Sequence, residues 1–264
     1  MPFRPFRTRG VAVANCAHRK RLARRLRTLP SKRRNLPNPD ALFKSQRITR
    51  EKEDVAGAFI TFEGIDGSGK STQMRLLASQ LRLRGLEVVT TREPGGTSLG
   101  KRLRTVLLDL QEQVDPLAEL LLYAADRAQH VRTLLLPALE TGHIVLSDRY
   151  ADATVAYQGA GRGFPPETVA EVVRLATGGL KPDLTLIFDL SVAECAARSE
   201  RRAHNGQVDR LDMEDATFYT RVRNAYLQLA EAEPERVRIV DASGSIDETH
   251  ARVMKIIMTF LEKQ

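Results

Sequence analysis

The amino-acid sequence predicts a three-layer α/β/α fold, in which a five-stranded parallel sheet carries helices on both faces. Two observations lead to this prediction. From about residue 58 onward, short apolar runs alternate regularly with segments whose apolar residues recur at helical spacing. The apolar runs are also continuous rather than alternating, which is typical of parallel strands that are buried on both faces. Right-handed crossover connections are expected between such strands.

The first β–α–β unit comes at the start of this pattern. "AFITFEG" (58–64) is predicted to be a strand. Residues 69–84 are predicted to be a helix, which Gly85 can end because glycine commonly follows the last helical turn. "LEVVTT" (86–91) is predicted to be the second strand.

The rest of the chain continues the alternation. Predicted helices at 98–110 and 115–141 precede the third strand, "HIVLSD" (143–148), and Pro116 lies in the first helical turn, where its missing N–H is tolerated. The remaining predicted elements are a helix with prolines at its start and glycines at its end (165–179), a strand (184–190), two helices separated by a polar stretch (191–202 and 213–232), a fifth strand (236–241) and a closing helix (245–262).

Charge is distributed unevenly along the 264 residues. The formal net charge is +8, but residues 1–50 contain fifteen Lys and Arg and a single acid, Asp40, whereas the remainder has 26 Lys and Arg against 32 acids. The folded part is therefore mildly acidic, which argues against a general nucleic-acid-binding surface. The two cysteines, Cys16 and Cys195, have no CxxC partner, which excludes a cysteine zinc site.

Residues 1–56 are predicted to be a basic, disordered extension, and residues 57–264 a single α/β domain. The extension is interpreted as a solvated tail or a stretch from an upstream start. Alternatives are an organelle transit peptide and an arm for nucleic acid or an anionic surface. No apolar run is long enough to span a bilayer, so no membrane association is expected. We expect a cytoplasmic location, or an organelle if residues 1–50 are a transit peptide.

A glycine-rich motif follows the first strand. "GIDGSGKS" fits G-x-x-x-x-G-K-[ST] in full, with a strand before it and a helix after it. Glycines let the backbone curl so that N–H groups point at phosphate oxygens, and the helix start favours an anion. Lys70 is expected to reach the β- and γ-phosphates, and Ser71 to hold Mg²⁺. The predicted triphosphate-binding residues are Gly64, Ile65, Asp66, Gly67, Ser68, Gly69, Lys70, Ser71 and Thr72.

Asp66 is unusual inside this loop, because a carboxylate repels bare phosphate. Its presence makes sense if it faces Mg²⁺ or a second substrate, so Asp66 joins Ser71 as a predicted metal-associated residue. An aspartate that only caps the loop is the competing interpretation.

Two further patterns narrow the reaction. "SDRY" places Asp148 and Arg149 at the carboxyl end of the third strand, where ligands bind in open α/β sheets, and Arg149 offers a bidentate fork for phosphate. "YAADR" places Tyr123 and Arg127 on one helix face, where an aromatic ring and a guanidinium can grip a base. Competing interpretations are a surface salt bridge for Arg149 and a half-buried Tyr123 beside a solvated Arg127.

A polar, positively charged segment, residues 199–210, is predicted to be a lid. Arg201, Arg202 and Arg210 could neutralise a transferring phosphoryl group and help to exclude water. A solvated charge run is the competing interpretation.

Several motifs together resemble the bacterial thymidylate kinase family, over nearly its whole length from about Phe59 onward. They are "FITFEGIDGSGKST", "TREPGGT" (91–97), "YAADR", "DRYADATVAYQGAGRG" (148–163), "PDLTLIFDL" (182–190) and "GQVDRLD" (206–212). The resemblance implies a P-loop kinase fold, phosphoryl transfer from Mg·ATP to dTMP in dTTP biosynthesis, and a homodimer.

The resemblance also implies roles for single residues. Tyr123 takes the place of the aromatic residue that stacks on thymine, and Arg127 that of the arginine that meets the base oxygen. Arg149 matches the arginine that holds the dTMP phosphate, and Asp66 the loop acid near Mg²⁺ and that phosphate. The remaining dTMP-binding residues implied are Tyr157 and Gln158 in the deoxynucleoside pocket, Thr154, and Arg92, Glu93 and Pro94 in a loop beside the acceptor.

The chain departs from the family pattern at two places. Ala153 stands where the family usually has Ser, although Thr154 follows and offers a hydroxyl. Ala203 and Asn205 stand where some relatives have basic residues, so the identity of the catalytic lid arginine stays open. The expected catalytic residues are Asp66, Lys70, Arg149, Arg201, Arg202 and Arg210.

Three other functions are weighed against this one. The nearest is another P-loop nucleotide or nucleoside kinase with a different acceptor. A GTPase is disfavoured because the sequence contains no N-K-x-D motif. A non-catalytic nucleic-acid-binding protein would rely on the basic extension, which the acidic remainder argues against.

Overall fold

The sheet has five parallel strands in the order β2-β3-β1-β4-β5, as the computed structural model shows. The structure describes residues 57–110, 113–203 and 210–263, without the side chains of residues 202 and 203. The strands are β1 (Phe59–Glu63), β2 (Val88–Arg92), β3 (Ile144–Asp148), β4 (Leu184–Asp189) and β5 (Val237–Asp241). All five lie where the apolar runs predict them, so the predicted fold class is confirmed.

Helices follow each strand. They are α1 (Lys70–Leu83), α2 (Ser98–Leu108), α3 (Pro116–His130), α4 (Leu136–Glu140), α5 (Ala151–Thr154), α6 (Pro166–Thr177), α7 (Val192–Ala203), α8 (Ala216–Ala232) and α9 (Ile246–Leu261), with a 3₁₀ turn at Arg210–Met213. Within the described part of the chain, no helix is both long and apolar enough to cross a bilayer.

β1 is the central strand, and its side chains are buried on both faces of the sheet. Ile60 and Phe62 pack into the larger core with Leu77 of α1, whereas Phe59 packs on the opposite face with Val145. This arrangement explains why all five residues of the strand "FITFE" are buried and why its apolar residues do not alternate strictly with polar ones. Both faces of the sheet are therefore covered, as the predicted three-layer fold requires.

The strand order also determines where a ligand is expected. The chain leaves β1 towards β2 on one side and later returns to β4 on the other, so the order reverses next to β1. In the registers of the neighbouring pairs, Asp148 at the end of β3 lies beside Phe62 of β1 and Arg92 of β2. Ligands bind beyond the carboxyl ends of strands at such a switch point.

Two helical regions differ from the sequence prediction. The single helix expected at 115–141 contains a π-helical segment, Val131–Leu135, between α3 and α4. Pro137 explains the break in the regular ladder, because proline has no N–H to donate to the preceding turn. Residues 151–161, for which no helix was predicted, form α5 and a second π-helical segment, Val155–Gly161. Because many of these residues are glycine or alanine, the sequence shows too few large apolar residues at helical spacing to indicate a helix.

The core can be tested with two leucines of the same helix. Leu77→Ala should lower the free energy of unfolding by about 2–5 kcal/mol, because Leu77 is 0% exposed in the core. Leu83→Ala is the matched control: Leu83 is 88% exposed, so its removal should cost less than about 0.5 kcal/mol. Denaturant unfolding of both variants measures the difference, and equal losses would contradict the described packing.

Candidate active site

The glycine-rich loop between β1 and α1 has the backbone that its sequence predicts. Gly64 has a φ of 131°, and Gly67 and Gly69 also have positive φ values. A Cβ atom on Gly64 would lie 2.6 Å from the carbonyl oxygen of Phe188, and one on Gly67 would lie 2.4 Å from that of Cys195. Only glycine fits at these two positions. The loop leads directly into α1, whose first N–H groups can bind an anion.

Lys70 is the first residue of α1 and is almost fully buried. Its Nζ donates a 3.0 Å hydrogen bond to the carbonyl oxygen of Ile65 and lies 3.9 Å from Oδ1 of Asp66. Burial and the nearby Arg149 guanidinium lower the pKa of the Lys70 ammonium, although Asp66 and Asp148 oppose this change. A phosphate group in the loop would give this buried cation a stronger partner.

A cleft of about 830 Å³ opens over the loop. Besides the loop, its walls are formed by the end of β2, by α2, by α7 and by the segment that follows β5. The lining residues outside the loop and α1 are Arg92, Glu93, Arg104, Leu108, Asp148, Arg149, Arg198, Arg201, Ala242, Gly244, Ser245, Ile246 and Thr249. A nucleoside triphosphate needs a groove of this size.

Arg149 joins separate parts of the site. Its Nη2 donates to both carboxylate oxygens of Asp66, at 2.9 and 3.0 Å, and to the hydroxyl of Tyr157 at 2.9 Å. Its Nη1 donates to the carbonyl oxygen of Gly64 at 3.2 Å and to the hydroxyl of Tyr226 at 3.4 Å. The competing interpretation of Arg149, a surface salt bridge, is therefore wrong: the guanidinium belongs to a largely buried network in which the carboxylate is Asp66.

The backbone and charge of Arg149 are both unusual. Its φ of 72° makes it the one non-glycine residue with positive φ in the described ranges, a conformation that costs energy and is most often kept at functional sites. Burial opposes its charge, but Asp66, Tyr157, Tyr226 and Glu63 together outweigh burial and hold the pKa of Arg149 well above its ordinary value. Its guanidinium also lies 4.6 Å from the centre of the Tyr157 ring.

A second, smaller cavity shares Glu93 and Arg149 with the cleft. Its walls bring together residues that the sequence analysis assigned to the acceptor nucleotide from three separate segments. The lining residues are Glu93, Tyr123, Arg127, Arg149, Tyr150, Ala153, Thr154, Tyr157, Gln158 and Leu211. Burial raises the pKa of Tyr123, so its hydroxyl stays protonated. Their roles toward a nucleotide stay predictions.

Arg127 is held rigidly at the back of this cavity. It donates to Glu93 (2.8 Å), to the hydroxyl of Thr154 (2.8 Å) and to the carbonyl oxygen of Tyr150 (2.8 Å). Glu93 also bonds His130 at 2.8 Å. A solvated Arg127, the competing interpretation, is therefore wrong: the guanidinium is 2% exposed and paired with a buried carboxylate.

Oxygen atoms that suit a magnesium ion converge beside the loop. The hydroxyl of Ser71 donates a 2.5 Å hydrogen bond to Oδ2 of Asp148, and Asp66 lies in the same cleft. Hydroxyl and carboxylate oxygens are the ligands that Mg²⁺ prefers. Ser71 and Asp66 were predicted from the sequence to be metal-associated, whereas Asp148 was not. Its position in "SDRY", at the end of a strand, was the available signal.

The predicted lid arginines lie in different places. Arg201 lines the cleft from α7, which continues to Ala203, so residues 199–203 are helical rather than a flap. The side chain of Arg202 lies outside the described residues. Arg210 binds the carboxylate of Glu119 and the carbonyl oxygen of Leu107, and it is not among the residues that line the cleft. The choice among the three arginines stays open.

Arg198 and the segment after β5 were missed by the sequence analysis. Arg198 lines the cleft and donates to the carbonyl oxygen of Ala242 at 3.4 Å. Gln73 of α1 donates to the carbonyl oxygen of Ile246 at 2.8 Å, which ties the start of α9, directly after the segment "DASGS" (241–245), to the loop helix. This segment follows the fifth strand at the ligand-binding edge of the sheet, which was the signal that could have identified it.

Glu63 is a fully buried acid that the sequence analysis did not single out. The backbone N–H of Tyr150 donates to its Oε1 and the hydroxyl of Tyr226 to its Oε2, both at 2.7 Å. Burial, reinforced by Asp152 and only partly offset by Arg149, raises the pKa of Glu63 to about 7. Glu63 is the last residue of β1 and therefore directly precedes the glycine-rich loop.

Comparison with known proteins is consistent with this geometry. The thymidylate kinase family model matches residues 62–253. A curated thymidylate kinase from Exiguobacterium sibiricum is 46% identical over 212 residues, which cover 80% of this chain and 98% of that protein. One from Deinococcus radiodurans is 50% identical over 197 residues, covering 75% and 94% respectively.

A solved structure shows the same similarity in three dimensions. The crystal structure of thymidylate kinase from Ehrlichia chaffeensis superposes with a TM-score of 0.63 at 35% identity. The match covers 77% of this chain and 99% of that one.

Glu63 gives a pH-dependent prediction. A carboxyl whose pKa is raised on folding, from 4.5 to about 7, stabilises the fold most below pH 4.5, and this contribution is lost as the pH rises towards and past 7. Glu63→Gln keeps the hydrogen-bonding shape without the charge. Between pH 5 and 8 the wild type should therefore lose roughly 2 kcal/mol of unfolding free energy relative to this variant. Denaturant unfolding at each pH measures this difference, and parallel pH profiles would contradict the assignment.

Proposed function

The chain belongs to the thymidylate kinase family and phosphorylates dTMP to dTDP with ATP, a step towards dTTP; from this premise we propose how its own residues perform the transfer. The observation that carries the proposal is the position of Arg149. This guanidinium lies in both cavity walls, between a phosphate-binding loop on one side and an aromatic- and arginine-lined pocket on the other. A phosphate of the acceptor would meet the donor's phosphates at this point.

We propose that ATP occupies the larger cleft. The loop from Gly64 to Thr72 surrounds the phosphates with N–H groups, and Lys70 lies against the β- and γ-phosphates. The segment after β5 and Arg198 line the same cleft and are proposed to contact the rest of the nucleotide. Arg201 is the lid arginine that the cleft geometry favours, while Arg202 and Arg210 remain candidates.

We propose that dTMP binds at the smaller cavity, whose volume of about 20 Å³ in this structure has to grow as its walls separate around the nucleotide. Tyr123 stacks on the base, and Arg127 donates to a base oxygen from the fixed position that Glu93 gives it. Thr154, Tyr157 and Gln158 line the remaining walls, while Arg92 and Pro94 belong to the neighbouring loop. Arg149 exchanges part of its bonding to Asp66 for the acceptor phosphate.

The reaction depends on positioning and charge neutralisation more than on proton transfer. The γ-phosphoryl group passes through a loose transition state whose charge is spread over its oxygens. Lys70, the loop N–H groups and a lid arginine oppose that charge, while Arg149 holds the acceptor in line. The acceptor phosphate is already anionic, so no general base is required.

We propose Mg²⁺ as the metal cofactor, held by Ser71, Asp148 and Asp66 together with the substrate phosphates. The donor set fits, because these three side chains supply the oxygen ligands that this ion prefers. When bound, Mg²⁺ neutralises charge on the transferring phosphates. In the described structure the Ser71 hydroxyl and the Asp148 carboxylate already lie together.

We further propose a homodimer, with residues 57–264 as the catalytic domain, residues 1–56 as a separate extension and a cytoplasmic location. Exposed leucines support the dimer: Leu117 and Leu121 lie one turn apart on α3, and Leu99 lies on the neighbouring α2. Exposed apolar side chains on adjacent helices are typical of an interface. Light scattering of the full chain tests the dimer, and a monomeric mass would contradict it.

Two substitutions separate the proposed roles. Lys70→Ala should lower kcat at least about 100-fold, because it removes a cation that opposes transition-state charge. Arg149→Ala should raise KM for dTMP at least about 10-fold and alter KM for ATP far less, because the charge-assisted contact is made to the acceptor. Steady-state kinetics of ADP release measures both.

Arg174→Ala is the matched control, because it removes an exposed arginine whose ion pair with Glu171 lies outside both cavities. It should leave all three constants unchanged. Near-normal turnover by Lys70→Ala would overturn the donor assignment. A change confined to KM for ATP in Arg149→Ala would overturn the acceptor assignment.

A further inference from the structure

Glu119 of α3 is a buried carboxylate that none of the proposed roles includes. Its side chain is 1% exposed, and it lies one helical turn before Tyr123. It accepts a 2.8 Å hydrogen bond from Nε2 of Gln158 and two bonds from Arg162, at 3.2 and 3.1 Å. Arg210 also donates to it. Glu119 thereby connects α3 to the Val155–Gly161 segment and to the 3₁₀ turn.

The surroundings keep Glu119 ionised. Burial alone would raise the pKa of its carboxyl, but the hydrogen bonds from Arg162, Gln158 and Arg210 outweigh burial, so the pKa lies below its usual value. Arg162 is itself held in place by Glu214 at 2.7 Å and by the ring of Phe218, 4.9 Å from the guanidinium. A carboxylate with this many donors is an acceptor only.

An acceptor-only partner determines which way the amide of Gln158 faces. A side-chain amide has one donor and one acceptor atom, and only the NH₂ group can bond a carboxylate. The carbonyl oxygen Oε1 is then the atom that Gln158 has left for a ligand in the smaller cavity. Arg127, which lines the same cavity, can only donate.

A cavity with one fixed acceptor and one fixed donor matches a pyrimidine base that has an imide edge. The N–H of such a base can donate to Gln158, and its carbonyl can accept from Arg127. Cytosine presents the opposite pattern at this edge, with an amino group and an unprotonated ring nitrogen. A Gln158 amide that was free to turn would discriminate less well between the two.

We propose that Glu119 is a positioning residue that fixes the amide of Gln158 and thereby adapts the acceptor cavity to an imide-bearing base. This inference rests on the proposed placement of dTMP in the smaller cavity. The competing explanation is that Glu119 only neutralises Arg162 and Arg210, and so contributes to stability without affecting base selection.

A double-mutant cycle distinguishes the two explanations. Glu119→Gln can bond Gln158 in either amide orientation, so it should raise KM for dTMP about 10-fold, leave KM for ATP within about twofold, and reduce the preference for dTMP over dCMP. Gln158→Met keeps the volume but removes the amide. In that background Glu119→Gln should change kcat/KM for dTMP less than about threefold, because no amide is left to orient.

Glu171→Gln is the control, because it weakens an exposed bidentate ion pair with Arg174 and should change none of these constants. Equal effects of Glu119→Gln in both backgrounds, or an unchanged KM for dTMP, would overturn the inference. If thermal unfolding shows that Glu119→Gln does not fold, Glu119→Asp replaces it. The shorter aspartate keeps the negative charge but places its carboxylate oxygens farther from Gln158. Its effect must likewise vanish in the Gln158→Met background.

The wild type provides the separate check on the proposed function. If the unmodified chain fails to phosphorylate dTMP, the placement of dTMP is wrong. If it does so and the cycle is additive, only the role of Glu119 is wrong.

Discussion

The guanidinium of Arg149 is the group on which the site depends. It bonds Asp66 and Gly64 in the glycine-rich loop, Tyr157 in the segment after α5, and Tyr226 in α8, so three other parts of the chain converge on one side chain. Its left-handed backbone, directly after β3, directs the side chain towards the loop. The proposed donor and acceptor sites can be adjacent because this one cation forms part of both cavities.

Buried carboxylates hold the surrounding cations and tyrosines in place. Glu63 bonds Tyr226, Glu93 bonds Arg127, and Glu119 bonds Gln158 and two arginines. In each pair, removal of one partner would leave a buried polar group without its hydrogen bonds, which costs far more than the pair itself contributes. These acids therefore preserve geometry. A phosphoryl transfer that relies on alignment needs this kind of rigidity.

Local sequence patterns predicted the strands, the glycine-rich loop and the shared helix face of Tyr123 and Arg127. They could not predict the contacts of Ser71 with Asp148, or of Glu119 with Gln158, because these partners lie 77 and 39 residues apart in the chain. Such pairs meet only after the strand order has brought their segments together. The helical stretch at 151–161 was missed because its small residues and glycines show no apolar spacing typical of a helix. The π-helical segment Val131–Leu135 was missed because Pro137 cannot donate the regular hydrogen bond to the turn before it, an effect that apolar spacing does not show.

The most direct measurement is ADP release by the full chain with Mg·ATP and a panel of acceptors: dTMP, dUMP, dCMP, dGMP, UMP and thymidine. The account predicts preferred turnover of dTMP, little turnover of dCMP and none of thymidine, which lacks the phosphate that Arg149 is proposed to hold. Turnover of thymidine at a rate comparable with dTMP, or preferred turnover of another monophosphate, would contradict it.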